Sequence, residues 1–319
     1  MMTLDSLLRL SALQRWLIAG LVVMSVGVAR AKQRSAPFYA DKQNLLVQID
    51  AVGKKHAIRS RRSWGLRRAH ILRNMQAVMG PLPGAAHRVA LEVEVLEETS
   101  LPKFARQKIT FAVEKGDRVP AYLLIPNGLL IPSGLKRKAP AMLCLHQTVG
   151  LGKGEPAGLG GSPNLHYAQE LAERGYVTLA PDYPNFGDYK IDVYVRGYAS
   201  ATMKGIWNHM RAVDLLQSLP EVDGERIGVI GHSLGGHNSL FVAAFDERLK
   251  VVVTSCGFNS FRKYFGGDLT GWSHNGYMPR LASAYGKDPK TVARFGSIPA
   301  ASQSISSSRT YSLMRLVSA

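Results

Sequence analysis

The stretch Arg226-Ile227-Gly228-Val229-Ile230-Gly231-His232-Ser233-Leu234-Gly235-Gly236 sets the fold of the chain. An apolar strand runs without a break into a serine bounded by glycines, and a helix-forming run follows at once. G-x-S-x-G in that setting seats the serine on a tight strand-to-helix turn whose backbone is strained. Gly231 and Gly235 supply the clearance, since a Cβ at either would clash where strand and helix approach. The turn lifts the hydroxyl clear of the sheet, and the helix N-terminus adds partial positive charge where an oxyanion would form. Ser233 is therefore the candidate nucleophile.

Outward from this turn, strands and helices alternate. Downstream, a helix is expected near residues 235–245 and a strand at 250–254. Upstream, a strand at 141–145 leads to a Gly-rich loop at 149–161 and a helix near 165–174. A strand at 176–180 leads to a long loop and a helix near 201–219. Apolar strands alternating with helices indicate an α/β fold, a parallel sheet covered on both faces. Further upstream, Val89, Leu91, Val93 and Val95 alternate with Ala90, Glu92 and Glu94, the period of a half-buried strand. Residues 108–113 and 121–125 flank a Lys-Gly-Asp turn and read as an antiparallel pair. Earlier still, a basic stretch at 54–73 includes Arg59, Arg61, Arg62, Arg67 and Arg68. Trp64, Leu66, Ile71, Leu72, Met75, Val78 and Met79 recur at three- and four-residue steps through and just beyond it. This predicts an amphipathic helix packed on the main domain and stopped by Gly80-Pro81-Leu82-Pro83. Its basic face is expected to be solvated, because no aromatic ladder or binding motif accompanies it; a nucleic-acid or membrane role is the alternative.

The chain has 319 residues, 46% hydrophobic and 20% charged. That is enough apolar material for a sizeable core and excludes disorder throughout. Two cysteines exclude a disulfide scaffold. Forty Lys and Arg against 23 Asp and Glu give a net charge of +17, which favours anionic surfaces and says nothing about fold. Arg9 and Arg15 precede an apolar run from Trp16 to Ala29, and Ala29-Arg30-Ala31 supplies the small residues of a cleavage site. Together they predict a secretory signal peptide cut after Ala31, and so a secreted or periplasmic protein. The run is shorter than the roughly 20 apolar residues of a spanning helix, so no stable membrane span is expected after cleavage; an uncleaved anchor is the alternative. Cys144 closes one expected strand and Cys256 follows another; with one strand between them in the expected fold, they stand about 9.5 Å apart. That exceeds the about 7 Å a disulfide tolerates, so two buried free thiols are expected. No His/Cys/Asp cluster stands at metal spacing, so no metal or cofactor is expected, and no nucleic acid.

From residue 61 to 289 the chain resembles α/β-hydrolases of the dienelactone hydrolase and acetyl xylan esterase type. It is similar in particular to secreted bacterial members that begin with an Arg-rich helix ending in G-P-L-P. The resemblance rests on Gly80-Pro81-Leu82-Pro83, Leu145-His146-Gln147-Thr148, Ala180-Pro181-Asp182-Tyr183-Pro184 and Arg211-Ala212-Val213-Asp214. The serine motif through His237 and Ser255-Cys256-Gly257-Phe258 complete it, in the family's order. It implies a mostly parallel sheet with helices on both faces. It implies one oxyanion-hole N–H from Gln147 or Thr148, after the third core strand, and another from Leu234 beside the nucleophile. His146 is expected to prop that loop, and Asp182 and Asp214 to brace rather than react. In this family the acid and the histidine follow the serine. Only His237 and His274 do so here; His237 is expected to pack behind the turn, and His274, in a loop, is the candidate base. Asp246, Asp268 and Asp288 are the candidate acids, and none clearly follows a further core strand.

Beyond Asp288 the sequence holds no Asp, Glu or His and becomes Ser-rich. The two further strand–helix units that the resemblance implies are not legible. The sheet is therefore expected to be incomplete at its C-terminal edge, with the strand at 250–254 unpaired on one side. A frame shift near Val292, or another truncation, is the expected cause; a short variant with a flexible tail is the alternative. The expected organisation is a signal peptide at 1–31, a basic helical arm at 32–85, a hydrolase core at 86–290 and an irregular tail at 291–319. The resemblance implies a secreted serine carboxylesterase of the acetyl xylan esterase or dienelactone hydrolase type. It would form an acyl-enzyme at Ser233 from a small-molecule or carbohydrate ester. The alternatives are a peptidase related to prolyl oligopeptidase, which would need a large propeller domain upstream, and a catalytically impaired truncated hydrolase.

Overall fold

Ser60 opens the first helix. Its Oγ accepts from Ser63 N while Ser63 Oγ accepts from Ser60 N, two otherwise orphaned donors satisfied reciprocally. The computed structural model describes residues 36–42, 44–129, 138–259, 264–281 and 312–314. Contacts divide the chain into Met1–Ala36 and Pro37–Ala319, and every element below belongs to the second. Strands β1 (Val47–Ile49) and β2 (Lys55–Ala57) form an antiparallel hairpin ahead of helix α1 (Arg61–Met79). Then come β3 (Glu94–Ser100), β4 (Phe104–Glu114), β5 (Asp117–Pro126), β6 (Ala139–Leu145), α2 (Tyr167–Glu173) and β7 (Val177–Pro181). Helix α3 (Ala201–Ser218), β8 (Val222–His232), α4 (Leu234–Phe245), β9 (Leu249–Ser255) and β10 (Ser312–Met314) complete the order.

Among the described residues, eight strands make one sheet in the order β10-β9-β8-β6-β7-β5-β4-β3. The central four, β9, β8, β6 and β7, are parallel, and antiparallel strands extend the sheet on both sides. Parallel neighbours need crossovers, which α2, α3 and α4 provide. The period of two sorts the strand side chains between two cores. Leu143, Leu145, Val229 and Val252 pack with Trp207 and Leu216 of α3 and Val242 of α4. Met142, Cys144 and Ala180 pack with Ala168 of α2 on the opposite face. The α/β class with helices on both faces stands. Helix α1 joins the larger core through Val78 and Met79, and Ser200 Oγ donates to Met79 O at 2.7 Å while capping α3.

Four expectations are corrected. The segment before α1 is not all helical, because residues 47–57 close a two-stranded hairpin. The strand expected to be half-buried from Val89 starts at Glu94 and is exposed along its length. Among the described residues it is the outermost strand and pairs only with β4, and Val93 and Val95 are 42% and 53% exposed. The edge expected to be open beyond β9 is paired by Ser312–Met314 against residues 252–254, which satisfies backbone groups there. Cys144 is a buried free thiol, as expected, but Cys256 is exposed, since the chain leaves β9 there with φ 53°. The expected leader, Asp288, Val292 and the tail apart from residues 312–314 lie outside the described residues.

Asp214 braces α3 to its surroundings. Arg88 pairs with it, as do Arg211 and Arg248 at 2.5 and 2.6 Å. Burial pushes its carboxyl pKa up, but hydrogen bonds from Arg88 and Arg248 outweigh that and hold it below the ordinary value. A carboxylate with a depressed folded-state pKa contributes stability that is complete above its unfolded value, and that contribution disappears as the pH falls through the folded value. Asp214→Asn is therefore expected to flatten the acid limb of melting temperature against pH. An acid limb as steep as the parent's would refute this role.

Candidate active site

The strand order reverses between β6 and β8: the chain passes from β6 to β7 on one side and returns to β8 on the other. Clefts in open α/β sheets form at such points, beyond the carboxyl ends of the strands. Leu145, the last residue of β6, lies opposite Gly231 of β8, and Ser233 follows directly. Ser233 has φ 51° and ψ −115°, backbone that a non-glycine residue holds only when its surroundings enforce it. Its N–H donates to Ser255 O at 2.8 Å, and its carbonyl accepts from His237 N at 2.9 Å. The glycines on either side explain how the bend fits. A Cβ on Gly235 would overlap the carbonyl oxygen of Leu145 and lie 2.8 Å from that of His146; one on Gly231 would lie 2.8 Å from Gly235 Cα. Ser233 is half-buried, and its hydroxyl does not cap α4.

Leu234 is the first residue of α4, so its N–H has no intrahelical acceptor. Gln147 and Thr148 leave the end of β6, and no acceptor is present for their N–H groups among the described residues. The Gln147 side chain is tied back, donating to Oε1 of buried Glu155 at 3.1 Å, and Ser162 N donates to the same oxygen at 3.2 Å. His146 is buried, its Nε2 accepting from Tyr183 N at 3.0 Å, so Nδ1 carries the proton and donates to Gln147 O at 2.6 Å. Burial lowers its pKa and keeps the ring neutral. It holds the loop rather than facing the serine. Asp182 is fully buried and accepts from Lys153 N (2.8 Å), Lys153 Nζ (2.7 Å) and Asp188 N (2.9 Å). Those bonds lock the 149–161 loop to the loop after β7.

The histidines after the serine lie apart. His237 is sandwiched between Phe241 and Trp272, with ring centroids 3.9 and 4.3 Å away, and burial pushes its pKa down to about 3. His274 is exposed; its Nδ1 accepts from Gly276 N at 3.0 Å, and among the described residues no hydrogen bond joins it to Ser233. Asp246 is paired with Arg248, and Asp268 accepts from Thr270 N.

The segment carrying His274 nevertheless docks beside the serine turn. Tyr277 OH lies 3.1 Å from Thr148 Oγ1, Tyr183 OH donates to Gly276 O at 3.2 Å, and Tyr194 OH donates to Asn275 O at 2.6 Å. His274 stands against Tyr277, with ring centroids 4.6 Å apart. Tyr277 was not singled out from the sequence; the only signal available was the crowding of Tyr264, Phe265, Trp272 and Tyr277 among glycines. Among the described residues no group of three or more His, Cys, Asp or Glu is placed to hold a metal, and no helix is long and apolar enough to cross a membrane.

Comparison with known proteins adds the following. Residues 142–314, more than half of the chain, match the model of the alpha/beta hydrolase family. A Bacillus subtilis protein named "Putative hydrolase YtaP" is 28% identical over 200 residues, covering 59% of this chain and 64% of that protein. "Uncharacterized protein PA2218" of Pseudomonas aeruginosa is 36% identical over 160 residues, covering 50% of this chain and 39% of that protein. A solved glucuronoyl esterase from Solibacter usitatus superposes with a TM-score of 0.48 at 19% identity, covering 68% of this chain and 63% of that one. The chain thus spans less than two thirds of the length of each of these relatives.

Proposed function

Because the chain belongs to the alpha/beta hydrolase family, we propose that it is a serine hydrolase that cleaves carboxylic esters through an acyl-enzyme on Ser233. The observation that carries this reading is the strained turn at Ser233, held by two glycines with no room for a side chain. Strain of this kind persists where the surrounding structure over-determines it, and it concentrates at reactive sites. Ser233 Oγ attacks the ester carbonyl. The developing oxyanion meets the N–H of Leu234 and an N–H of Gln147 or Thr148, with the N-terminal end of α4 adding partial positive charge. Removing one such donor costs about 10²–10³ in rate.

The serine proton needs a base, which in this reading is His274. Because its Nδ1 accepts the Gly276 N–H, the neutral ring carries its proton on Nε2. His274 takes the serine proton only after releasing Gly276, and then delivers it to the leaving alkoxide; water cleaves the acyl-enzyme by the same steps. The rim of Thr148 and Tyr277 meets the alcohol part of a small-molecule or carbohydrate ester. On the reading of residues 1–31, the protein works outside the cytoplasm.

The test is a fluorophosphonate, which labels activated serines. One adduct is expected on Ser233, within the tryptic peptide 227–248, together with turnover of p-nitrophenyl acetate that the label abolishes. An adduct elsewhere, or no adduct, overturns the assignment.

A further inference from the structure

Between Asp50 and Glu92 the chain carries nine Lys and Arg and no carboxylate, and the mechanism above uses none of them. Several face inward. Arg67 is buried against the Tyr39 ring, Arg68 reaches Ala244 O and Glu247, and Arg88 pairs with Asp214. Five face solvent. Lys54, Lys55, Arg59, Arg61 and Arg62 are exposed, and their side chains have no carboxylate partner among the described residues.

Apolar side chains share this surface. Val52 at the tip of the β1–β2 hairpin is 88% exposed, Leu46 at its base 66%, and Trp64 and Leu66 in the first turns of α1 37% and 49%. Ile58 N donates to Leu46 O at 2.8 Å, so the base of the hairpin and the start of the helix are continuous. Arg61 and Arg62 occupy the first turn of α1, where the unpaired N–H groups are themselves positive. Cations there oppose the helix dipole, so helix stability does not account for them. Leu66 lies on the side of α1 away from buried Arg67, Ile71 and Val78, so core packing does not account for its exposure, whereas Trp64 shares the side of Arg67 and Ile71 and meets solvent only at its edge.

Unpaired cations interleaved with exposed Trp, Leu and Val match the two layers of an anionic bilayer surface. The cations meet phosphate headgroups, and the apolar groups enter the acyl boundary. A polyanion such as nucleic acid would engage the cations but leave Val52, Leu46 and Leu66 without a role. We infer that the β1–β2 hairpin and the first two turns of α1 form a docking face for an anionic lipid bilayer. Binding is peripheral, and it is independent of the reaction proposed at Ser233.

The experiment measures partition of the full chain onto phosphatidylcholine vesicles with and without phosphatidylglycerol. The apolar run at residues 16–29 and its flanking Arg9, Arg15 and Arg30 are common to all variants, so the change in the ratio of the two partition coefficients from parent to variant isolates this face. The parent is expected to favour the anionic vesicles at least 100-fold. Each basic group near such a surface contributes roughly fivefold, so Arg59→Glu/Arg61→Glu/Arg62→Glu, which removes three cations and adds three carboxylates, should cut the ratio by at least roughly 100-fold. Val52→Ser/Leu66→Ser should weaken anionic binding about 10-fold, with the melting temperature of both variants held near the parent's as the check on folding. Equal partition onto both lipids overturns the inference. So does anionic binding that ignores Val52 and Leu66 and is displaced by single-stranded DNA, which would identify a polyanion site instead.

Discussion

Ser233→Gly is expected to abolish ester turnover while raising the stability of the fold. The residue sits at φ 51° and ψ −115°, backbone that glycine visits readily and a residue with a Cβ does not. Strain of this type costs about 1–3 kcal/mol. The greater freedom of glycine in the unfolded chain returns about 0.4–1 kcal/mol of that, leaving a net gain of about 1 kcal/mol. Removing the nucleophile of a serine hydrolase costs about 10³–10⁶ in rate. The two effects are read separately, by the urea midpoint and by turnover of p-nitrophenyl acetate. Ser233→Ala is the comparison, since it loses the hydroxyl but keeps the Cβ and so should lose turnover without gaining stability. A glycine variant that is less stable than the parent, or that retains turnover, contradicts this account of the turn.

The second large effect is at Gly235, where alanine is expected to cost about 4 kcal/mol or more. The new Cβ would lie 2.5 Å from the carbonyl carbon of Leu145 and 2.8 Å from the carbonyl oxygen of His146, besides overlapping the oxygen of Leu145. These are backbone atoms at the end of β6, which is paired with β7 on one side and β8 on the other. A side chain in the way could rotate aside; a strand held on both edges cannot. Overpacking among side chains costs about 1–3 kcal/mol, and a backbone clash exceeds that. Against a total stability of about 5–15 kcal/mol, the yield of folded protein should collapse. Gly84→Ala is the matching control, because a Cβ there meets nothing within 4 Å. Equal melting temperatures for the two variants would show that the close approach at Gly235 is not what holds the turn.

Much of the central sheet was legible because its signals are local. The alternation of apolar strands with helices placed β6, β7, β8, β9 and the helices between them within a few residues of where they stand. Cross-chain contacts carry no such signature. The outward position of β3 depends on which strand ends the sheet, not on the alternation of Val93 and Val95 with glutamates. The exposure of Cys256 depends on the direction in which the chain leaves β9. The hairpin at residues 47–57 is short, and its apolar residues have no period long enough to announce it. In the site, the serine turn is a local motif, whereas the approach of Tyr277 to Thr148 joins segments more than a hundred residues apart.

The sequence by itself determined the strand-to-helix bend at Ser233, because the need for small residues on both sides is written at fixed spacing in Gly231 and Gly235. It also determined the layering of sheet and helices, because apolar strands alternating with helices must have both faces of their sheet covered. Only the tertiary structure decided what surrounds the serine. The bracing of Asp182 by Lys153, the stacking of His237 on Trp272 and the approach of Tyr277 to Thr148 are contacts between distant segments. Their geometry follows from how the loops close over the sheet, and no pattern of neighbouring residues encodes that closure.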